Sequence, residues 1–260
     1  MSEITGAILA GGLGTRLRTV VSDRPKVLAT VLGKPFLAYL LDQLAKAGVD
    51  RVVLLTGYRG EQIQQEFGDR YGHVKLDYSM ETSPLGTAGA LRLALPKLFP
   101  AGAGESDSAC GVLVLNGDSY CSADLRLFRA FHDHARADAS LVLAQVTDTS
   151  RFGKVETSPQ NRLERFLEKQ DAGGAGAINA GIYLLNRDLI EEIPAGRPVS
   201  IEREMFPQWL ETHTLVGFGC QGSFLDIGTP ESYREAEAFF GQMVAGGRLG
   251  MHASTLAKPA

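Results

Sequence analysis

The segment Leu9-Ala-Gly-Gly-Leu-Gly-Thr-Arg16 has the residue types that bind an anion. Glycines let the backbone approach a ligand closely and turn its N–H groups toward it. The guanidinium of Arg16 can hold two phosphate oxygens at once. A tight structural turn after a strand is the alternative interpretation. The residues of this predicted phosphate loop are Leu9, Gly11, Gly12, Gly14, Thr15 and Arg16.

The loop differs from two common phosphate-binding fingerprints. The dinucleotide-binding pattern requires G-x-G-x-x-G, whereas Gly12-Leu-Gly14 continues as Thr-Arg-Leu. A P-loop requires G-K-[ST], which Gly33-Lys34-Pro35 does not supply. Lys26 is a second cation that could reach a phosphate across the loop, although a solvated surface lysine would look the same in sequence.

Two aspartates are candidate metal ligands. Asp118 ends a predicted buried strand, which is where α/β sheets place their ligands. Asp226 lies in a distant segment, Asp226-Ile-Gly-Thr-Pro-Glu231. A turn aspartate at the end of a strand is the alternative interpretation of Asp118.

The composition excludes several classes of protein. The chain has 260 residues, 44% hydrophobic and 22% charged, with a net charge of −4, whereas a general nucleic-acid binder is usually basic. We expect no membrane-spanning helix, because no run of about eighteen apolar residues occurs. The start of the chain lacks the basic region of a signal peptide, and the three cysteines form no C-x-x-C pair. We therefore expect a cytoplasmic protein with reduced thiols.

Strand and helix patterns alternate through the first 150 residues. Helices are predicted at 35–47, 61–67 and 125–135, between strands at 3–9, 51–58, 75–79, 111–118 and 140–146. This alternation predicts a Rossmann-like, mostly parallel sheet with helices on both faces. Strand-like runs at 154–158, 162–169 and 178–186 predict a small antiparallel addition.

Later in the chain, two prolines mark predicted helices. Pro207 should kink or shorten a helix at 201–211, and Pro230 should lie near the start of a closing helix. We expect a single domain over 1–245 and a disordered tail at 246–260. His132 and His134 are two apart on a predicted helix and are expected on its surface.

Further motifs follow the loop in a fixed order. GGLGTRLR, PKVL and GKPFL precede Glu81-Thr-Ser-Pro-Leu-Gly-Thr-Ala-Gly89, Asn116-Gly-Asp118, Phe152-Gly-Lys-Val155, Glu168-Lys169, Asn179-Ala-Gly-Ile-Tyr183 and Asp226–Glu231. In this order they resemble the sugar-1-phosphate nucleotidylyltransferase family over roughly residues 3–240. These enzymes make an NDP-sugar and pyrophosphate from an NTP and a sugar 1-phosphate. The resemblance implies the nucleotide-diphospho-sugar transferase fold.

The resemblance also implies roles for individual residues. The catalytic residues would be Arg16, Lys26, Asp118, Lys169 and Asp226, with Asp118 and Asp226 holding Mg²⁺. Further nucleotide contacts would come from Glu81, Gly86 and Thr87, and sugar-phosphate contacts from Gly153, Glu168, Lys169, Asn179 and Gly181. The N-terminal half would then bind the nucleotide and roughly residues 150–228 the sugar phosphate. Because a sugar phosphate is already anionic, its attack needs positioning and charge neutralisation rather than a general base.

Glu81 bears on the identity of the base. Guanine presents two adjacent donors, N1–H and the 2-amino group, and one carboxylate can accept from both. Thymine and uracil offer no such pair, and relatives that use them tend to carry glutamine near this place. The sequence therefore predicts GTP as the nucleotide, with a solvated Glu81 at a strand end as the alternative.

The sugar is assigned by resemblance alone. Residues 20–23, 115–120 and 178–181 resemble the D-glycero-α-D-manno-heptose 1-phosphate guanylyltransferases of bacterial surface-polysaccharide pathways, which build capsule, LPS or S-layer glycans. Val27 and the Thr30-Val31 pair differ from the residues that are usual in the family at these positions. The alternative that stays open is a mannose-1-phosphate guanylyltransferase or another NDP-hexose pyrophosphorylase. A non-catalytic paralogue is disfavoured because the candidate carboxylates and cations are all present, and a cytidylyltransferase of lipid or isoprenoid precursors would lack the E-x-x-P-L-G-T-A-G and E-K motifs. The sequence predicts no nucleic-acid or membrane partner and leaves open whether the chain forms a homo-oligomer.

Overall fold

A computed structural model describes residues 4–17, 19–100, 111–167 and 173–246. The strands are β1 (Thr5–Ala10), β2 (Thr30–Val31), β3 (Lys34–Pro35), β4 (Arg51–Thr56), β5 (Arg70–Tyr71), β6 (Val74–Met80), β7 (Gly111–Asn116), β8 (Ser119–Cys121), β9 (Ala139–Val146), β10 (Lys154–Thr157), β11 (Leu163–Leu167), β12 (Gly176–Asn186), β13 (Leu215–Cys220) and β14 (Phe224–Asp226). The α-helices are α1 (Phe36–Lys46), α2 (Gly60–Phe67), α3 (Gly86–Leu98), α4 (Leu125–Ala135), α5 (Arg187–Glu192), α6 (Phe206–Thr212) and α7 (Pro230–Ala245).

The centre of the fold is an eight-stranded sheet in the order β13-β9-β12-β7-β1-β4-β6-β5. Strands β7, β1, β4 and β6 are parallel neighbours, and β13 is parallel to β9. Strand β12 runs antiparallel between β9 and β7. The predicted mixed, mostly parallel sheet is confirmed.

Helices cover both faces of this sheet, as predicted. Neighbouring residues of a strand point to opposite faces, and Ala7 and Ile8 of β1 accordingly belong to two different hydrophobic cores. The core around Ile8 is closed by α1, α4 and α7. The core around Ala7 is closed by α3, α5 and α6.

The antiparallel addition is smaller than the sequence predicted. Strands β10 and β11 form a separate two-stranded hairpin. The third predicted member, β12, is instead a central strand of the main sheet. Its residues from Ala180 to Leu185 are all buried, which suits a strand covered on both faces better than one in a half-exposed hairpin.

The two proline positions behave as expected. Residues Ile201–Met205 form a π-helical turn, and Pro207 lies in the first turn of α6, where a missing N–H costs no hydrogen bond. Pro230 follows the capping residue Thr229 at the start of α7. Helix α3, which the sequence analysis did not predict, begins at Gly86.

The expectation that His132 lies on the surface is wrong, whereas His134 is exposed as predicted. The His132 ring is buried, with Nδ1 2.8 Å from Ser140 Oγ and Nε2 3.3 Å from Asn186 Oδ1. Burial lowers the pKa of His132. The ring is therefore a neutral polar group that links α4 to the sheet.

Two further features concern the ends of the chain and the membrane. The predicted disordered tail lies outside the described residues, apart from Gly246 at the end of α7. None of the helices in the described part of the chain is long and apolar enough to cross a bilayer.

Candidate active site

The predicted phosphate loop follows β1 and folds back toward Lys26. Gly14 has φ +59°, a left-handed conformation that favours glycine, and a Cβ there would lie 3.2 Å from Cβ of Lys26. Leu17 N–H donates to the Gly14 carbonyl at 3.0 Å, and the Leu17 side chain is buried. The loop is thereby anchored at Leu17, while Thr15 and Arg16 are exposed.

The two candidate metal ligands are brought together by a short antiparallel ribbon of β8 and β14. Asp226 lies opposite Ser119, and Ile227 N–H donates to the Asp118 carbonyl at 2.9 Å. The Asp226 carboxylate also accepts from Gly228 N–H at 2.9 Å. Two residues that are far apart in sequence therefore present their carboxylates at one place.

Charge is concentrated around this carboxylate pair. Burial raises the pKa of Asp226, and the negative charge of Asp118 raises it further. The positive charges of Lys26 and Arg16 oppose this shift in the Asp226 pKa. Lys26 Nζ donates to Asp118 Oδ2 at 2.7 Å, and the Lys26 side chain is only 10% exposed. Lys26 is thus part of the site and not the solvated lysine of the alternative interpretation.

The carboxylate oxygens of Asp118 and Asp226 suit a hard divalent cation whose other ligands come from a substrate and water. The described part of the chain contains no cluster of three or more His, Cys, Asp or Glu side chains able to enclose a metal by themselves. Magnesium commonly takes only one or two protein carboxylates and completes its shell with water and phosphate oxygens. Asp118 and Asp226 match that pattern, and the mutual repulsion of their charges is the electrostatic condition that a cation would relieve.

Glu81 occupies a space that two glycines leave open. A Cβ on Gly57 would lie 2.6 Å from Glu81 Oε1, and a Cβ on Gly11 would lie 2.8 Å from the same atom. The other oxygen, Oε2, accepts from Leu85 N–H at 3.0 Å. Burial raises the pKa of Glu81, and the Leu85 hydrogen bond partly opposes the shift. This half-buried position contradicts the alternative of a solvated residue at a strand end.

A cleft of about 360 Å³ joins the loop, Glu81 and Asp118. Of the predicted site residues it contains Leu9, Gly11, Gly12, Lys26, Glu81, Gly86, Thr87 and Asp118, and it is completed by Ala10, Leu13, Val27, Leu55, Pro84, Ala90, Asn116, Gly117 and Glu202. The backbone of Gly117 packs closely against Leu9 on the wall of this cleft, because a Cβ on Gly117 would lie 2.4 Å from the Leu9 carbonyl oxygen.

Two of the predicted sugar-side residues, Asn179 and Gly181, lie on β12, and Gly153 immediately precedes β10. Gly181 has φ +75°, and a Cβ there would lie 2.8 Å from both Asn116 Nδ2 and Ser119 Oγ. Gly181 N–H donates to Asn179 Oδ1 at 2.9 Å, and Gly153 N–H donates to the Thr149 carbonyl at 3.0 Å. Both glycine N–H groups are therefore engaged within the chain. Glu168 and Lys169 lie outside the described residues.

Thr87 and β12 are connected through a residue of the π-helical turn. Thr87 Oγ1 donates to Glu202 Oε2 at 2.9 Å and accepts from Ile201 N–H at 2.8 Å. Tyr183 Oη lies 3.4 Å from Glu202 Oε1 and accepts from Asn179 Nδ2 at 2.9 Å. The hydroxyl of Thr87 thus forms hydrogen bonds with two residues of the π-helical turn, Ile201 and Glu202.

The sequence and this geometry match one family over nearly the whole chain. A family model described as nucleotidyl transferase covers residues 5–242. The chain belongs to the nucleotidyl transferase family. The predicted family, and with it the predicted enzyme type, are confirmed.

Relatives within the nucleotidyl transferase family include two kinds of guanylyltransferase. The chain is 37% identical over 239 residues to a mannose-1-phosphate guanylyltransferase of Mycobacterium tuberculosis, covering 91% of this chain and 64% of that protein. It is also 37% identical over 230 residues to a D-glycero-alpha-D-manno-heptose 1-phosphate guanylyltransferase of Aneurinibacillus thermoaerophilus, covering 88% of this chain and 95% of that one. The chain therefore spans less than two thirds of the mycobacterial relative.

A solved structure has the same fold as this nucleotidyl transferase. HddC from Yersinia pseudotuberculosis, complexed with GMP-PN, superposes with a TM-score of 0.77 at 33% identity. The match covers 91% of this chain and 99% of that one. The predicted fold class is confirmed by this likeness as well as by the sheet order.

Sequence reasoning missed two polar residues around the nucleotidyl transferase cleft. Glu202 lines the cleft, yet acidic residues are common in the first turn of any helix, so its segment carried no separate signal. Tyr183 was noted only as the end of a strand-like motif, and its contact with Glu202 depends on tertiary structure.

Proposed function

We propose that this chain transfers GMP from GTP to D-glycero-α-D-manno-heptose 1-phosphate, giving GDP-heptose and pyrophosphate for bacterial surface-polysaccharide biosynthesis. The observation that carries the proposal is one cleft that holds a half-buried carboxylate, Glu81, together with the Lys26–Asp118 ion pair. The carboxylate suits a guanine edge, and the ion pair suits a triphosphate with its cation.

The chemistry requires charge neutralisation more than proton transfer. An oxygen of the sugar phosphate attacks the α-phosphorus of GTP, the bond to the β-phosphate oxygen breaks, and pyrophosphate leaves with that electron pair. Both reactants are anions, so their approach is unfavourable until cations lie between them. Lys26 is held in place by Asp118, whereas the exposed Arg16 is free to follow the phosphates. In this proposal Lys169 binds the sugar phosphate.

Asp118 and Asp226 would hold the Mg²⁺ ion. When bound, the ion would supply positive charge at the phosphates, which lowers the cost of bringing the two substrates together. The β8–β14 ribbon fixes the spacing of the two carboxylates before any substrate arrives. The protein would therefore supply two carboxylate ligands, which is the number that Mg²⁺ commonly takes from a protein.

Recognition of guanine rests on the position of Glu81. Its Oε2 accepts one backbone hydrogen bond, from Leu85, so Oε1 and the remaining lone pairs can accept from N1–H and the 2-amino group. A base without this pair of donors would leave Oε1 of the half-buried carboxylate without a donor from the base, which costs binding energy. Both guanylyltransferase relatives agree with this argument.

The heptose assignment rests on the Val20–Asp23, 115–120 and 178–181 segments and on the heptose-specific relative. A second candidate, mannose 1-phosphate, is supported by a relative of the same 37% identity. The two sugar phosphates share the manno configuration of their ring hydroxyls. The difference lies at the exocyclic end of the sugar, so one experiment separates them.

The test measures pyrophosphate release with GTP and Mg²⁺, using heptose 1-phosphate, mannose 1-phosphate and glucose 1-phosphate in parallel. We expect the highest kcat/KM with the heptose phosphate. Equal or higher kcat/KM with mannose 1-phosphate would overturn the heptose assignment and favour the second candidate. Replacement of GTP by UTP, CTP and dTTP in the same assay tests the base.

A further inference from the structure

We propose that Glu202 is a specificity-determining residue that accepts a hydrogen bond from a ring hydroxyl of the sugar 1-phosphate. This inference rests on the proposed function, because it concerns the sugar that the same cleft receives. Glu202 belongs to the π-helical turn Ile201–Met205 and lines the cleft together with Glu81 and Asp118. Departures from regular α-helix of this kind often occur at functional sites.

The Glu202 carboxylate is held firmly but is not saturated. Its Oε2 accepts from Thr87 Oγ1 at 2.9 Å and from Ser200 Oγ at 3.1 Å. Its Oε1 has one long contact, 3.4 Å, with Tyr183 Oη. A carboxylate has about four lone-pair positions, so the Oε1 side keeps acceptor capacity for a ligand. The carboxylate is thus held in position, and Oε1, which has only this long contact, can accept a further hydrogen bond from a hydroxyl donor.

The neighbours of Oε1 place it on the sugar side of the cleft. Tyr183 and Asn179 are both on β12, and Asn179 Nδ2 donates to Tyr183 Oη at 2.9 Å. Burial raises the pKa of Tyr183 well above its ordinary value, so the phenol keeps its proton and can donate toward Glu202. The same strand carries Gly181, which the family resemblance assigns to the sugar phosphate. The nucleotide-side contact of Glu202, through Thr87, uses the other oxygen.

A carboxylate at this point favours hydroxyls over phosphate. It repels the phosphate groups of both substrates and accepts hydrogen bonds from neutral hydroxyls. Glu202, which Thr87 and the buried Tyr183 hold in place, would therefore orient the sugar ring with its phosphate directed away from the carboxylate. A sugar that lacks the contacted hydroxyl would leave Oε1 unpaired, and a site built to hydrogen-bond a hydroxyl rejects such an analogue strongly.

The experiment compares wild type with Glu202→Gln, using heptose 1-phosphate and mannose 1-phosphate, each with its 2-, 3- and 4-deoxy analogues. Glutamine keeps the size of the side chain but replaces one acceptor oxygen by a donor. In the wild type we expect one deoxy analogue to lose about tenfold to a hundredfold in kcat/KM. In Glu202→Gln we expect the penalty for that same analogue to fall to less than about threefold. Glu204→Gln, an exposed glutamate of the same turn, is the matched control and should keep the wild-type penalty.

Several outcomes would overturn the proposal. One is an undiminished deoxy-sugar penalty in a Glu202→Gln variant with wild-type melting temperature. Another is a change in selectivity confined to 2′-deoxyGTP and 3′-deoxyGTP, which would place the contact on the ribose instead. If the chain forms no GDP-sugar, calorimetry can instead compare how wild type and Glu202→Gln bind the same sugar phosphates. A failure of the proposed function and a failure of this inference therefore give different results.

Discussion

Lys26, whose Cβ packs against Gly14 of the phosphate loop, donates a 2.7 Å hydrogen bond from Nζ to Oδ2 of the candidate metal ligand Asp118. The lysine is almost completely covered, whereas the aspartate is 41% exposed. The Asp118 carboxylate therefore positions the ammonium group of Lys26, and Asp118 still lines the cleft. In the proposed function, Asp118 would therefore both position Lys26 and hold the Mg²⁺ ion.

Asp118→Asn should lower kcat/KM by about a hundredfold or more, because it removes a negative ligand while keeping an acceptor for Lys26. Pyrophosphate release measures the loss, and the Mg²⁺ concentration for half-maximal rate should rise. Asp133→Asn, at an exposed position on α4, is the control. Turnover of Asp118→Asn at the wild-type level would refute the metal role.

Glu81→Gln should weaken the preference for GTP. An amide can accept one hydrogen bond from guanine but presents an N–H where the second donor lies, so kcat/KM with GTP should fall about tenfold to a hundredfold relative to UTP. Competition between the two nucleotides measures the ratio directly. Glu61→Gln, exposed on α2, controls for the change in net charge. An unchanged GTP-to-UTP ratio would contradict the assignment of the base.

The pKa of Glu81 gives the pH dependence a definite direction. Because burial raises this pKa, the carboxylate takes up its proton at a higher pH than an ordinary glutamate does. Only the charged form can accept from both guanine donors, so kcat/KM for GTP should decline as pH falls through that raised pKa. Glu81→Gln should lack this decline, while sharing any decline caused by titration of GTP itself. Identical pH profiles for the two proteins would rule out titration of Glu81 as the cause.

Gly117→Ala should destabilise the fold by about 1–3 kcal/mol, because the added methyl group would overlap neighbouring atoms. Its Cβ would lie 2.4 Å from the Leu9 carbonyl oxygen and 2.9 Å from Val27 Cγ1. Gly241→Ala in α7 meets no atom within 4 Å and should instead stabilise the helix by about 0.5–1 kcal/mol. Chemical denaturation of both variants tests the contrast in sign.

His132 should make folding stability fall in mild acid. Its pKa is lowered in the folded protein by burial, whereas in the unfolded chain it takes the ordinary value of about 6.5. Below that pH the unfolded chain therefore binds more protons than the folded chain does. The free energy of unfolding is largest above that pH and decreases as pH falls. His132→Gln should show a smaller loss between about pH 7 and 5 than wild type, and His134→Gln should match wild type. Equal slopes for wild type and His132→Gln would refute the buried, neutral state.

Much of the site could be predicted because its residues lie in local motifs. The Gly-rich loop, Glu81 and Asp118 each follow a strand or lie beside a glycine, and Lys26 lies between the Gly-rich loop and Gly33-Lys34-Pro35. The alternation of strands and helices likewise predicted the sheet and the helices on both of its faces.

Most of the missed features depend on tertiary structure. Strand β12 has the apolar run of a central strand, but its direction between β9 and β7 depends on how the chain returns to the sheet. His132 lies four residues after Phe128 and seven after Leu125, so the helical spacing places it on the buried face of α4, where Ser140 and Asn186 contact its ring nitrogens. Glu202 reaches the cleft through a π-helical turn that no sequence period predicted.

The β8–β14 ribbon also determines the order in which the site can be assembled. It joins a segment in the middle of the chain to one close to the end of the family match, so it is a contact of long sequence separation. A nascent chain emerges from the ribosome N-terminus first, and the phosphate loop, Lys26 and Asp118 emerge long before Asp226. A partly synthesised chain therefore lacks the second carboxylate of the candidate metal site. Competence for the reaction would arrive only when almost the whole domain has left the ribosome.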